Sequence, residues 1–223
     1  MTDPNPLRLH EKALLLILKD QEGTVAVSGY TYILAGALLS ELFLEERLRT
    51  EGKHHVVHVV DDSPMGDELL DECLERIAAE TKPRPAPHWI GTLGNIRELR
   101  HRIARQLCRR GILREDEGKV LHFFTRKIYP EVDPGPEAAL VAELEEAIFT
   151  DTETIAPHTA ALVSLGNSIG LLAATFPRRE LRARKARLEA IASGDMASAA
   201  VAARRALDDA LLLCLYSSTF TMP

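Results

Sequence analysis

The chain has 223 residues, 46% of them hydrophobic and 27% charged, which is the balance of an ordinary globular protein. A net charge of −6 excludes a general polyanion-binding protein, so any anion-binding site has to be a local cluster of cations. The three cysteines have no metal-binding or redox spacing, and the N-terminus lacks the features of a signal peptide, which favours a cytoplasmic protein with reduced thiols.

The first third of the chain predicts helices interrupted by one β-rich segment. Apolar residues recur at helical spacing over residues 7–19 and 30–49. Residues 53–60 are rich in valine and favour a strand, and a further helix is predicted around residues 69–77. Three prolines within residues 81–87 exclude a helix there and predict a connector.

Residues 96–130 are predicted to form a basic helix followed by a β-hairpin. The helix carries a narrow apolar seam made of Ile96, Leu99, Ile103 and Leu107. Segments 112–114 and 120–124 then favour two short strands, joined at residues 115–119 with Gly118 in the turn. A helix followed by a hairpin is also the arrangement of a winged helix.

Arg97 and Arg100 are the leading candidates for an anion-binding site. In a helix they lie on one flank of the seam, about 60° apart, near the positive end of the helix dipole. Two guanidinium groups placed in this way can hold a phosphate. The alternative is a solvated face whose arginines are paired with Glu98 or with distant acids. Three further arginines are predicted to point away from this flank, toward water: Arg102, Arg105 and Arg109.

The exit of the predicted hairpin combines two cations with an aliphatic and an aromatic side chain: Arg126, Lys127, Ile128 and Tyr129. In an exposed tip, such cations can contact lipid headgroups while the apolar side chains beside them insert into the bilayer. An ordinary exposed loop is the alternative. We therefore predict a membrane-contacting tip at these four residues.

The remaining chain is predicted to be helical. Helices are expected at residues 137–149, 159–176, 178–191 and 197–216. The uncharged stretch 159–176 contains serine, asparagine and glycine and is at the short limit for a membrane span, so a buried central helix is the better interpretation. The predicted fold is mainly α, with a flexible N-terminus at residues 1–6 and a single helical-bundle domain over 7–223 that carries strand insertions and a projecting hairpin.

The sequence contains no pattern typical of catalysis. It lacks a nucleophile elbow, a glycine-rich phosphate loop and a usable cysteine–histidine pair. His54, His55 and His58 could suggest a metal site, but no cysteine or carboxylate nearby completes a ligand set. We therefore expect no enzyme activity, no metal and no cofactor.

Four segments, in the right order, resemble the Golgi phosphoprotein family, whose members bind phosphatidylinositol 4-phosphate on membranes. The most specific is DSPMGDELLDECL at residues 62–74, and the others are residues 9–23, 34–48 and 96–113. The resemblance runs from about residue 7 to the C-terminal helix. It implies a largely helical single domain with a projecting hairpin, in agreement with the pattern of apolar residues.

The resemblance also implies a lipid pocket built from a tryptophan, an arginine near the second helix and two arginines on the basic helix. The last two correspond to Arg97 and Arg100. The first arginine corresponds to Ala35, so that contact is missing in this chain. The tryptophan falls near residues 28–30, where the chain is about two residues shorter, and Tyr30 is the candidate to replace it.

Three functions follow as hypotheses. The first is a non-enzymatic peripheral adaptor on the cytosolic face of a membrane. It binds an anionic phospholipid, phosphatidylinositol 4-phosphate or a similar lipid, and holds cytosolic tails of membrane proteins, with self-association through the hairpin. The second is a winged-helix nucleic-acid binder, which the net acidity disfavours. The third is a protein-only adaptor that has lost lipid binding. The family resemblance favours the first, without nucleic acid as a partner.

Overall fold

The computed structural model describes residues 6–193 of the chain, with gaps at 20–23, 26–28, 121–123 and 169. Within these residues the chain forms ten helices and three antiparallel strand pairs, which confirms the mainly helical fold. The helices are α1 (Leu9–Ile17), α2 (Tyr30–Leu44), α3 (Glu68–Ala78), α4 (Ala86–Gly94), α5 (Leu99–Arg109), α6 (Gly135–Phe149), α7 (Pro157–Ser168), α8 (Leu172–Thr175), α9 (Arg178–Ala183) and α10 (Lys185–Ala192). The strand pairs are β1 (Leu18–Lys19) with β2 (Thr24–Val25), β3 (Leu48–Glu51) with β4 (Val56–Val59), and β5 (Asp116–Val120) with β6 (Phe124–Ile128).

Helix α2 is the centre of the core. It buries an unbroken run from Ile33 to Phe43 and packs against α1, α3, α4, α5 and α7. A helix that is apolar on every side is stable only when other elements surround it. Burial of the aliphatic side chains of α2 therefore explains why the shorter helices assemble around it.

The second predicted helix ends earlier than its apolar pattern indicated. Helix α2 stops at Leu44, and Glu46 adopts a left-handed backbone conformation with φ of 56°. The chain then reverses into β3, whose Leu48 pairs with Val59 of β4. Leu48 is buried, as predicted, but as a strand residue rather than a helical one.

Helix α4 was not predicted, because it begins inside the proline-rich connector. Pro85 is the residue before the helix, and Pro87 lies in its first turn. Proline is tolerated there because the first amide groups of a helix have no partner within the helix. The three prolines therefore mark the start of α4, which buries Trp89, Ile90 and Leu93 in the core.

The uncharged stretch forms the buried helix α7 and the short helix α8. No helix among the described residues is both long enough and apolar enough to cross a membrane. The predicted cationic helix at residues 178–191 is divided into α9 and α10 at Arg184.

The guanidinium groups of Arg184 and Arg187 contact the end of α6. They donate hydrogen bonds to backbone oxygens of Phe149 and Ala147 at the end of α6. The predicted helix at residues 197–216 lies outside the described residues, as do residues 1–5. The domain boundaries therefore stay a prediction.

Candidate anion-binding site

Helix α5 places its apolar seam against the core and its charged side chains at the surface. Leu99, Ile103 and Leu107 are buried, and the helix packs against α1 and α2. The helix begins at Leu99, three residues later than the predicted start at Ile96, because Glu98 adopts a left-handed conformation with φ of 56°. Arg97 therefore lies in the turn before α5, and the prediction that it shares a helix flank with Arg100 is wrong.

Most arginines on the other side of α5 are paired with carboxylates. Arg102 Nη1 and Nη2 lie 2.5 Å and 2.6 Å from carboxylate oxygens of Glu72 and Glu68. Arg105 Nη2 lies 2.7 Å from Glu98 Oε2. Arg102 and Arg105 therefore neutralise neighbouring acids, instead of pointing freely to water as predicted.

Arg97 and Arg100 differ from these arginines. Arg97 is exposed, and within the part of the chain that the structure describes it forms no hydrogen bond or ion pair. Arg100 is half-buried, and no described carboxylate lies within ion-pair distance of it. Its Nε is buried without a hydrogen-bond partner in the same residues. Neither predicted anion ligand forms an ion pair in this part of the chain, although the charge of Arg97 contributes to the lowered pKa of the adjacent Glu98.

Tyr30 contributes the aromatic wall of the site. Gly29, with φ of 71°, turns the chain into α2 and makes Tyr30 its first residue. The guanidinium carbon of Arg100 lies 5.9 Å from the centre of the Tyr30 ring, which is a cation–π distance. The structure therefore brings together two of the three predicted headgroup ligands, Tyr30 and Arg100.

Ala35 lies on the same helix as Tyr30 but is fully buried. This position of α2 faces the core and supplies no cation to the site. Residue 28, at the start of the segment to which the tryptophan corresponds, lies outside the described residues.

His101 and Tyr129 are additional members of this cluster that the sequence did not indicate. His101 Nδ1 lies 2.9 Å from Tyr129 Oη, and His101 Nε2 lies 3.3 Å from Arg100 Nη2. Burial raises the pKa of Tyr129 to about 12. Burial, and then the charge of Arg100, lower the pKa of His101 below its ordinary value. The only sequence signal was that His101 follows Arg100 on an otherwise basic helix.

The hairpin differs in register from its prediction. Its strands pair Asp116 with Ile128 and Val120 with Phe124, so the connection falls at residues 121–123, outside the described residues. Gly118 is a strand residue, and a Cβ atom there would lie 2.9 Å from Ile128 Cγ2. The glycine thus provides room for the Ile128 side chain instead of forming a turn.

The four residues of the predicted membrane-contacting tip therefore do not lie at the tip of the hairpin. Arg126, Lys127 and Ile128 belong to β6, and Tyr129 is fully buried directly after this strand. Lys127 Nζ lies 2.5 Å from Glu115 Oε1. For Arg126 the structure describes the backbone but not the side chain. Tyr129 stays in the protein because its ring packs against His101, so it cannot insert into a bilayer as placed.

His54, His55 and His58, which could have suggested a metal site, do not belong to a described group with suitable ligand spacing. Among the described residues, the group with suitable ligand spacing is Glu41, Glu45 and His158. Arg8 Nη1 lies 3.0 Å from carboxylate oxygens of both glutamates and supplies a compensating positive charge.

The fold and the site together define a mainly helical protein in which a basic helix precedes a β-hairpin, with two arginines that form no ion pair in the described part of the chain. The chain belongs to the Golgi phosphoprotein 3 (GPP34) family, whose sequence profile matches residues 9–210. It is similar to vacuolar protein sorting-associated protein 74 of Eremothecium gossypii, with 30% identity over 149 residues. That match covers 57% of this chain and 44% of the relative, so it spans less than half of the relative's length.

Proposed function

We propose that the protein is a peripheral membrane adaptor that binds an anionic phospholipid headgroup through Arg97, Arg100 and Tyr30. Phosphatidylinositol 4-phosphate, or a lipid with a similar headgroup, is the proposed ligand. Membership of the GPP34 family supports a Golgi-type adaptor, and the name of the similar Eremothecium gossypii protein refers to protein sorting. The proposed place of action is the cytosolic face of a membrane.

The observation that carries this proposal is the contrast in charge compensation along α5. Arg102 and Arg105 are ion-paired, whereas Arg97 and Arg100 have no carboxylate partner in the described chain. An arginine already paired with a carboxylate has its charge largely compensated and attracts a phosphate less strongly. Arg97 and Arg100 form no such pair, and a guanidinium group can donate two parallel hydrogen bonds to phosphate oxygens.

The Tyr30 ring supports the same proposal. Its cation–π contact with Arg100 restricts the movement of the guanidinium group. A donor that is held in place before binding loses less conformational entropy when the ligand arrives. The ring therefore makes Arg100 a better anion ligand than a freely moving surface arginine.

The adaptor part of the proposal concerns protein partners. We propose cytosolic tails of membrane proteins as cargo and self-association through the hairpin, on the basis of family membership. No catalytic role is proposed. A winged-helix nucleic-acid binder remains the alternative, but the ion pairs of Arg102 and Arg105 reduce the cation surface that such a helix would offer to phosphates.

Vesicle flotation tests the lipid part directly. The full chain is mixed with phosphatidylcholine vesicles that contain phosphatidylinositol 4-phosphate, phosphatidylserine or no anionic lipid. We expect flotation with the anionic vesicles that weakens as salt concentration rises, because salt screens charge attraction. Binding to duplex DNA in a gel shift, with no flotation on any vesicle, would favour the alternative.

Two double variants with the same change in net charge locate the site. Arg97→Ala combined with Arg100→Ala should lower vesicle affinity at least tenfold, since each cation near an anionic surface contributes about 1 kcal/mol. Arg102→Ala combined with Arg109→Ala removes the same charge from the same helix and should change affinity much less. Equal losses in the two double variants would show that overall charge, and not this site, determines binding.

A further inference from the structure

We propose that His101 is a further binding residue of this site, and that it takes up a proton when a phosphate group binds beside Arg100. The proposal rests on the proposed function, because it assumes that Arg100 binds an anionic ligand. It adds a ligand residue and a pH dependence that neither the sequence pattern nor the arginines alone imply.

The geometry places the His101 ring at the edge of the Arg100 guanidinium group. His101 Nε2 lies 3.3 Å from Arg100 Nη2, so a phosphate oxygen bound at Nη2 would also lie close to Nε2. The other ring nitrogen, Nδ1, lies 2.9 Å from Tyr129 Oη. Because Tyr129 is fully buried, its hydroxyl group fixes the orientation of the His101 ring.

The hydrogen bonds identify the protonation state of His101 without a ligand. A guanidinium nitrogen can only donate a hydrogen bond, so Nε2 must accept it and carries no proton. The proton of the neutral ring then resides on Nδ1 and is donated to Tyr129 Oη. Nε2 therefore lies beside Arg100 as an unprotonated group that can become a second donor to a bound anion.

The surrounding charges explain why a ligand is needed to protonate the ring. Arg100 and Arg105 of α5 and Lys127 of β6 disfavour a further positive charge, whereas Glu98 and Glu115 favour it. Arg105 is paired with Glu98 and Lys127 with Glu115, which leaves Arg100 as the uncompensated neighbour. A phosphate bound at Arg100 would offset that charge and accept a hydrogen bond from Nε2.

Thermodynamic linkage then gives the sign of the pH dependence. The pKa of unliganded His101 is lowered by burial and by Arg100, and a bound phosphate should raise it. If the ligand raises the affinity of His101 for a proton, then the proton raises the affinity for the ligand by the same factor. Phosphate affinity should therefore increase as pH falls. The increase begins near the pKa of His101 in the liganded protein and is complete below the pKa of His101 in the unliganded protein.

The test compares the full chain with His101→Gln, which keeps a polar side chain of similar length. Dissociation constants for vesicles of phosphatidylcholine and phosphatidylinositol 4-phosphate are measured at constant ionic strength between about pH 6 and about pH 8. We expect the wild type to bind about fivefold more tightly at the acidic end, allowing for a ligand-induced pKa shift of the size that one nearby charge produces. The vesicle affinity of His101→Gln should retain only the pH dependence that arises from the phosphate group of the lipid, which titrates at about pH 6.

Two further arms separate the headgroup from the membrane surface. Titration with inorganic phosphate, followed by the NMR shift of the His101 ring, should raise the pKa of His101 without any vesicle present. Vesicles containing phosphatidylserine control for the protons that an anionic surface attracts, and should show a smaller difference between wild type and His101→Gln. An equal difference on both anionic vesicles would overturn recognition of a phosphate monoester by His101, because phosphatidylserine contains only a phosphate diester.

The outcomes distinguish this inference from the proposed function. A wild type that floats with no anionic vesicle at any pH contradicts the proposed lipid binding. Flotation with an unchanged pH dependence in His101→Gln overturns the role of His101 alone. A phosphate-induced rise in the pKa of His101, without vesicle binding, would support the phosphate site and assign it to a soluble ligand.

Discussion

The two ends of α5 use their arginines in different ways. At the end of the helix, Arg110 Nη1 lies 2.8 Å from Glu11 Oε2, and Glu11 is itself buried on α1. At the start of the helix, Arg100, and Arg97 in the turn before it, form no ion pair among the described residues. The first arrangement stabilises the contact between two helices, whereas the second leaves positive charge for an external ligand.

The paired end belongs to a larger group of charges at the start of α1, here called the α1 charge network: Arg8, Glu11, Glu41 and Arg110. Glu41 is 1% exposed, and its carboxylate accepts hydrogen bonds from the Leu9 amide and from Arg8 at 2.8 Å and 3.0 Å. Burial alone would raise the pKa of Glu41, but the nearby His158, the Leu9 amide and Arg8 lower it. The comparison shows that sequence spacing does not distinguish a structural arginine from a binding one, whereas the presence of a buried acid does.

The largest effect is expected from breaking the α1 charge network at Glu41. Glu41→Ala leaves the buried Leu9 amide without its acceptor, and it leaves the Arg8 guanidinium group with only the more exposed Glu45. Removing one member of a buried ion pair costs about 3–5 kcal/mol. We therefore expect the free energy of unfolding, measured by urea denaturation, to fall by about 3 kcal/mol or more.

Glu45→Ala is the matched control, because Glu45 binds the same Arg8 nitrogen from a more exposed position. Exposed ion pairs contribute about 0–1 kcal/mol, so this variant should unfold almost like the wild type. Similar losses in both variants would contradict the distinction between buried and exposed partners. Vesicle binding per folded molecule should be unchanged in either case.

The second prediction concerns pH, and it uses the buried pair next to the α1 charge network. His10 is fully buried, and its Nε2 lies 3.4 Å from Asp67 Oδ2 and 3.2 Å from Gln106 Oε1. Burial alone would lower the pKa of His10, but Asp67, with smaller contributions from Glu11 and Glu41, raises it. The stabilisation from this pair should thus be fully present below about pH 6.5 and be lost as pH rises through the folded-state pKa of His10.

At low pH the stabilisation from the His10–Asp67 pair depends on Asp67 and falls as pH decreases. The His10 contact, with hydrogen bonds from Leu70 and Gln106, holds the pKa of Asp67 well below its usual range despite burial. Its contribution is lost only as pH falls below about 4 toward that pKa. Urea denaturation should show maximum stability between these limits, and His10→Gln should remove most of the alkaline decline. A decline of the same slope in His10→Gln would assign it to other groups.

The helical fold could be predicted to a large extent from the sequence, because burial of an apolar helix face leaves a periodic pattern. The apolar pattern predicted the wrong helix boundary where the local backbone conformation determined it. Glu46 and Glu98 adopt left-handed conformations that no periodicity indicates, and they end α2 and delay α5. Proline excluded a helix in the connector by residue type, although the first turn of α4 accepts it.

The candidate site could be predicted only in part. Arg97 and Arg100 followed from the basic helix and the family resemblance, and Tyr30 from the family resemblance alone. The contacts of His101 with Arg100 and Tyr129 depend on how the chain after β6 returns to α5, which sequence spacing does not encode. The register of the hairpin depended in the same way on Ile128 packing over Gly118.

The third prediction tests whether a paired arginine of α5 is structural. Arg102→Ala removes two ion pairs, to Glu68 and Glu72, which join α5 to α3. Because these groups are partly exposed, the free energy of unfolding should fall by only about 1 kcal/mol. Vesicle affinity should stay within about twofold of the wild type at the same salt concentration. A large loss of affinity with unchanged stability would place Arg102 in the binding site.

The smallest effect is expected at Tyr30, whose ring supports Arg100 without supplying charge. Tyr30→Ala removes the cation–π contact, which contributes about 0.5–1 kcal/mol at a partly exposed position, so vesicle affinity should fall about threefold. Tyr30→Phe keeps the ring face and should bind like the wild type. If Tyr30→Phe loses as much affinity as Tyr30→Ala, the hydroxyl group is the important feature and the stacking explanation fails. If neither variant changes affinity, then Arg100 does not depend on the ring, and the start of α5 binds anions by charge alone.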